Sequence, residues 1–393
     1  TQAISIAETS GAELLESQSS LMKKLGEIGL LSRQIEFLPD DEEIAARINA
    51  KKGLTRPELA VILAYSKLWL YQEILDSSLP DEDYFKADLM RYFPGAMQEK
   101  YKSEIENHKL RREIVATFVT NSIVNRAGST FFHNIIKDTG QSASNVARTY
   151  TAARDTFALR DMWKQIEQLD GRVESKVQYE MFIEIGKFIE RQTFWYLREF
   201  AGKADVAEMV KTYSADVISF NAELAEMLNA ELAETTHKQA AMLELANVPS
   251  ALARQIAALP ALSSACDIIS VSKQAKLPIA FIGKIYFEMG EKLGFNWLRA
   301  GGANLKGETY WQRLAIRNMV DSLFEHQRRL TLAAAKLASK GSKPEAALKA
   351  WEELNIDDLE RHARLIAELK ATERTDLAML VAAVRRVESL CSK

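Results

Sequence analysis

Residues 53–67 read GLTRPELAVILAYSK, and this stretch decides the fold class. Gly53 stops the segment before it and Thr55 starts the next. Thr55 and Glu58 have the Thr-x-x-Glu spacing of a capping box, and Pro57 falls in the first turn, where its missing N–H leaves no bond unmade. From Leu59 to Leu75 the helix is apolar on most sides. Leu59, Ile62, Leu63, Leu70 and Ile74 spread around it, while Glu58, Ser66 and Glu73 fall on one narrow polar stripe. Such a helix belongs at the centre of a core, packed by neighbours on several faces. Lys67, Gln72 and Glu73 interrupt it, and it falls short of the ~20 apolar residues of a membrane span.

Outward from there, apolar spacing is helical almost everywhere and no run alternates as a strand would. The expected class is all-α: a multi-helix array followed by a bundle of longer helices. Residues 11–37 read as one or two helices ending near Pro39, after an unpatterned opening, TQAISIAETSGAELLESQSS, that reads as a ragged edge. Asp40 caps a short charged helix, Gly128 ends the helix over 109–127, Gly140 ends an aromatic one, and Ser142 opens the next. At Gly171 the texture changes to long helices, which divides the chain into a compact subdomain over 1–170 and a long-helix bundle over 171–393. Gly202 makes a turn there, and Asp205 with Glu208 caps the helix after it. Pro249, Pro260 and Pro278 cut the next region into short helices, and Gly301–Gly302 reads as a loop. A long helix from Glu308 to about Ser339 carries Trp311, Leu314, Met319, Leu323, Leu330, Ala334 and Leu337 on one side. A helical hairpin over 357–390 closes the chain.

Four stretches carry a resemblance. GLTRPELAVILAYSK at 53–67 and HKLRREIVATFVTNSIVNRAGSTFFH at 108–133, with LPDDEEIAARINAKK at 38–52 and YFEMGEKLGFNWLRA at 286–300, resemble the C-terminal region of the large bacterial NAD-specific glutamate dehydrogenases. The likeness is strongest over 20–160 and looser beyond. It implies a parent enzyme that oxidises L-glutamate to 2-oxoglutarate and ammonium with NAD. It also implies that the active site lies in a separate dehydrogenase domain, to which nothing here corresponds. This chain is therefore expected to hold no catalytic, cofactor-binding or metal residue of its own. Its implied partners are the catalytic domain of the same parent chain and further copies in a homo-oligomer. A free-standing helical scaffold of the same ancestry is the alternative.

Composition narrows the classes further. The 393 residues carry 51 basic and 54 acidic side chains, a net charge of −3, interspersed rather than striped, which argues against nucleic acid as a partner. A chain of this size buries about three quarters of its unfolded surface, so no disulfide or metal staple is needed. Cys266 and Cys391 form no framework, and no basic-then-apolar leader opens the chain; both point to the cytoplasm.

Few side chains invite a chemical reading. GGANLKGE at 301–308 lacks both the G-x-G-x-x-G spacing and a preceding strand, so it reads as a surface loop rather than a phosphate cradle. The two glycines of FEMGEKLGF at 287–295 read as a close helix packing. Asn121 and Asn125 lie one turn apart on a helix otherwise apolar from Ile114 to Val124. They read as buried amides tied to a neighbouring helix, because an unpaired buried amide costs about 1–3 kcal/mol; a small-ligand or partner site is the alternative. Lys67 reads as snorkelling or paired rather than as an activated base, and the family's catalytic lysine, which belongs to the absent domain, does not transfer to it. His133 reads as a satisfied, half-buried histidine. His326, Arg328 and Arg329, with Lys336 beyond, read as a solvated helix face.

Overall fold

The computed structural model describes residues 2–200, 205–305, 307, 309–372 and 376–391. Every regular element among them is helical: 22 α-helices and three short 3-10 turns, without a strand. The expected all-α class holds. The chain forms two compact units, Thr1–Thr212 with Leu243–Leu252, and Tyr213–Met242 with Ala253–Lys393. Gly202, expected at a turn, and Glu308, expected to open the long helix, lie outside the described residues.

In the first unit the helix behind Thr55 runs Arg56–Leu75. The Thr55 N–H donates to Glu58 Oε2 at 2.7 Å, and Arg47, from the preceding helix Asp41–Asn49, donates to both oxygens of the same carboxylate at 2.7 and 2.9 Å. The helix packs against Gln2–Ser10, Leu15–Glu27, Arg111–Ala127 and Ala143–Thr156, which makes it the centre of the unit. Ile62, Leu70 and Ile74 are wholly buried. Its outward side differs from the expected stripe. Ser66 is buried, its hydroxyl donating to the Leu63 carbonyl at 2.9 Å, while Ala60, Ala64, Leu68 and Gln72 face out at every fourth position. A hydroxyl satisfied within its own turn is buried at little cost, so polarity misplaces it.

The unpatterned opening is ordered. Gln2–Ser10 packs on the central helix and on Ser175–Phe200, and Glu8 pairs with Arg56. A Cβ on Gly53 would stand 2.8 Å from Gly11 Cα, so the backbones there touch. Alanine, serine and glycine carry this contact through small size, which leaves no apolar period to read. The next segment ends sooner than expected. Leu15–Glu27 stops, Gly29 turns the chain at φ +74°, and residues 28–39 run irregularly, with Leu31 and Leu38 buried and Phe37 facing out. The caps fall where the spacing predicts. Asp40 accepts from the Glu43 N–H at 2.8 Å, Ser142 accepts from the Asn145 N–H at 3.2 Å, and Gly140 ends Phe131–Thr139 in the left-handed conformation.

In the second unit the organiser is Tyr310–Ala335. It packs against Ala265–Ala275, Ile279–Lys292, Phe295–Asn304, Pro344–Leu354 and Leu377–Cys391 around Met289, Leu323 and Leu380. Thr309 caps it, accepting from the Gln312 N–H at 3.2 Å while Gln312 accepts from the Thr309 N–H at 3.1 Å. Two expectations fail along it: Trp311 is 73% exposed, and His326 is buried rather than solvated. Gly301 and Gly302 are not a loop either; they lie inside Phe295–Asn304, and a Cβ on Gly302 would stand 2.5 Å from Val320 Cγ2. Glycine lets these two helices approach there. Gly290 acts similarly, facing Gln327. Pro260 does not open a break but sits inside Ser250–Leu262, two residues from its end.

Candidate functional site

Two helices of the first unit, Arg111–Ala127 and Leu159–Glu167, flank an open cavity of about 610 Å³. Local sequence explains the second helix. Leu159, Trp163 and Ile166 turn inward, which leaves Arg160, Lys164 and Glu167 on the other side. Ala158, at φ +50°, turns the chain into it from Ala143–Thr156. On the first helix Asn121 and Asn125 are one turn apart, and Arg126 follows.

Cations hold the two walls together. Arg126 pairs with Glu167 at 2.6 Å and lies 5.2 Å from the centre of the Trp163 ring. Arg160 lies 5.6 Å from the centre of the Phe118 ring and donates to Asp88 Oδ1 at 2.7 Å. Lys164 makes no bond or ion pair among the described residues. Trp163 is 4% exposed, lines the cavity, and its indole N–H finds no acceptor.

Behind this wall sits a buried ionic cluster. Arg154 is wholly buried; its Nε donates to Asp155 Oδ1 at 2.7 Å and one terminal nitrogen to Asp155 Oδ2 at 2.8 Å, with Asp88 Oδ2 at 3.3 Å. The Tyr84 hydroxyl donates to Asp155 Oδ2 at 3.0 Å, and the Tyr150 hydroxyl to the Ser122 carbonyl at 2.9 Å. Burial pushes the Asp155 carboxyl upward, but the hydrogen bond and charge of Arg154, then Arg160 and Tyr84, hold it below the usual carboxylate range. Burial pushes the Tyr150 phenol up to about 12. Burial first, and then the charge of Arg154, shift Arg160 down, against the carboxylates of Asp88 and Asp155.

The two asparagines are brought together, but not as the sequence suggests. Asn121 is half-buried and Asn125 exposed, both line the cavity, and neither amide bonds to another described residue. They are therefore not buried ties to a neighbouring helix. Arg126, Arg160, Trp163 and Lys164 escape the sequence reading. The one local signal is RDMWK at 160–164, which sets two cations one turn apart beside a tryptophan.

The other candidates stand elsewhere. Lys67 is half-buried without an ion pair among the described residues, and burial lowers its pKa. His133 is buried, with Nε2 3.0 Å from the Ser20 hydroxyl; burial, then Lys137 and Lys24, push it down to about 4, which keeps it neutral. The grouping on Tyr310–Ala335 does not form a patch. His326 is buried, Arg328 pairs with Glu325 at 2.9 Å, Arg329 donates to the Cys391 carbonyl at 3.2 Å, and Lys336 is exposed. Among the described residues no three His, Cys, Asp or Glu side chains are grouped to hold a metal ion. No single described helix is long and apolar enough to cross a membrane.

Comparison with known proteins adds what geometry alone does not. Residues 51–389 match the family described as glutamate dehydrogenase, C-terminal. The chain is 35% identical over 390 residues to the NAD-specific glutamate dehydrogenase of Pseudomonas aeruginosa. It is 30% identical over 392 residues to that of Halomonas elongata and 29% over 384 residues to that of Mycobacterium tuberculosis. These alignments cover 99%, 99% and 98% of this chain but 24% of each relative, so the chain spans about a quarter of their length. The resemblance in the Thr55 stretch thus extends along nearly the whole chain, and the chain belongs to the NAD-specific glutamate dehydrogenase family, in the part that the family description calls C-terminal.

Proposed function

We propose that this chain is a noncatalytic helical region of an NAD-dependent glutamate dehydrogenase, and that it supports the catalytic domain, its assembly or its regulation. The parent reaction would be L-glutamate, NAD and water giving 2-oxoglutarate, ammonium and NADH, in the cytoplasm and in a homo-oligomer. One observation carries this reading: the match over residues 51–389 is to a C-terminal family description, in relatives named for that activity and four times as long.

Gly301 and Gly302 do not have the geometry of a dinucleotide-binding loop. Dinucleotide sites turn a glycine-rich loop so that backbone amides meet the pyrophosphate at a helix N-terminus. Here Gly301 and Gly302 are within a helix, and Gly302 backs onto Val320. In this reading NAD belongs to the parent's dehydrogenase domain. The test is deletion. The chain alone should not reduce NAD with glutamate, and a parent lacking this region should lose activity or native mass in sedimentation. A deleted parent that is fully active and normally assembled refutes the proposal.

A further inference from the structure

We propose that His362 is an acid-sensitive latch, whose protonation releases the helix Ile356–Ala371 from the rest of the second unit. The inference goes beyond the family role and stands on this unit's own side chains.

The helix is lightly anchored. Ile356–Ala371 buries Asp358, His362, Ile366 and Leu369, one stripe along one face, and two of these four are ionisable. His362 sits within that stripe and is 1% exposed. Its Nε2 lies 2.9 Å from the carbonyl of Leu293, at the turn where Gly294 adopts φ +69°. A carbonyl only accepts, so the neutral ring carries its proton on Nε2 and leaves Nδ1 bare. Nδ1 is buried and has no partner among the described residues. Protonation would keep the bond to Leu293 but add a charge and a second N–H that no acceptor meets.

The charges around the ring are like-signed or already engaged. Leu377–Cys391 brings Arg386, whose Nε is itself buried without an acceptor. Asp358, one turn before on the same helix, accepts from Arg361 at 2.8 Å and from Arg386 at 3.0 Å. Ile279–Lys292 and Pro344–Leu354 bring Lys292 and Glu352, which pair with each other, and Lys349 pairs with Glu353. Burial lowers the pKa of His362 first, the Leu293 bond raises it, and Arg386 lowers it again, for a net shift down. His326, also buried in this unit, differs: Glu388 and Glu325 stand beside it and oppose the effects of burial and Arg329.

Release would have a structural product. Ile356, Leu359 and Ala363 form one wall of an open cavity of about 430 Å³, and Leu293, Leu348 and Trp351 line its other side. Without the helix that apolar side faces solvent. The direction in pH follows from the downward shift. Above about pH 6.5 the ring is neutral in the closed and the open helix alike. Below that value the open helix takes up a proton that the closed one refuses, so opening rises about tenfold per pH unit.

The test is hydrogen exchange of the 393-residue chain at about pH 7.5 and 5.5, each rate divided by that of an unstructured peptide at the same pH. Amides of Ile356–Ala371 should lose about tenfold in protection at the lower pH, and should exchange ahead of those in Tyr310–Ala335. His362→Gln keeps an N–H for the Leu293 carbonyl but cannot be charged, so its helix should be protected alike at both pH values. Exchange at the imidazole C2 carbon reads the titration of His362 directly in the unsubstituted chain. Its midpoint should lie below about 6.5, a readout that stands even where the variant helix is weakened. The proposal falls if protection of this helix does not change with pH, or if His362→Gln loses it to the same extent. It falls equally if protection is lost only in step with Tyr310–Ala335, or if His362 titrates as an ordinary histidine. None of these outcomes depends on dehydrogenase activity, so failure here leaves the family role untouched.

Discussion

At the scale of single residues, burial decides which charges this fold can carry. His133 is neutral in its pocket at about 4, whereas an ordinary histidine titrates near 6.5. Below that value the unfolded chain takes up a proton that the folded chain refuses. His133 therefore costs nothing above about pH 6.5, and stability falls as pH drops from there toward 4, by ~3 kcal/mol at the end of that window. Denaturant melts of His133→Asn between pH 7 and 4 should show a shallower loss than the wild type. Arg154 is the opposite case, a buried cation held by Asp155 and Asp88. Its removal takes the two-pronged guanidinium partner from buried Asp155 and one of three cations from Asp88. Arg154→Leu should therefore cost roughly 3–5 kcal/mol at neutral pH, read in the same melts. Asn121→Ala, by contrast, should change stability by less than about 0.5 kcal/mol, because its amide has no described protein partner to strand. The sequence correctly marked Asn121 and Asn125 as unusual but assigned them to packing. What it could not show is that Arg160, Trp163 and Lys164, on a separate helix some forty positions later, stand across a cavity from them. Spacing reports neighbours along one helix, not across two.

At the scale of elements, local chemistry was legible and close approach was not. Caps are encoded within four residues, which is why Asp40, Thr55, Ser142 and Gly140 act where the spacing placed them. Glycines that serve another helix look the same in sequence as glycines that serve a loop. Gly301 and Gly302 look like a loop in sequence for that reason, and the Val320 contact at Gly302 shows the use of one of them. The opening helix hides for a similar cause, since the Gly11–Gly53 approach just after it is a contact of absent side chains. Gly53→Ala should cost roughly 1–3 kcal/mol, because the added methyl meets backbone that cannot rotate away. Gly95→Ala, with nothing within 4 Å, should be silent or slightly stabilising. Equal melting temperatures for the two variants would contradict this account of the Gly11–Gly53 contact.

At the scale of the whole molecule, family membership accounts for the chain's helices better than any single site does. Two units, each built round one long helix, give a region with large packed faces and one polar cavity. Hydrogen bonds such as Ser20 to His133, and Gln2 to Arg126, join residues more than a hundred positions apart, so the first unit cannot form from any short piece. That unit is also discontinuous, taking Leu243–Leu252 after an excursion of thirty residues into the second. During synthesis the consequence is a delay. At about 5–20 residues per second, the ribosome delivers Leu252 some 2–8 s after Thr212, and over that interval the first unit waits without its final segment. Nascent chains arrested soon after Thr212 emerges should be cut readily by added protease within the first unit, and chains arrested beyond Leu252 should resist.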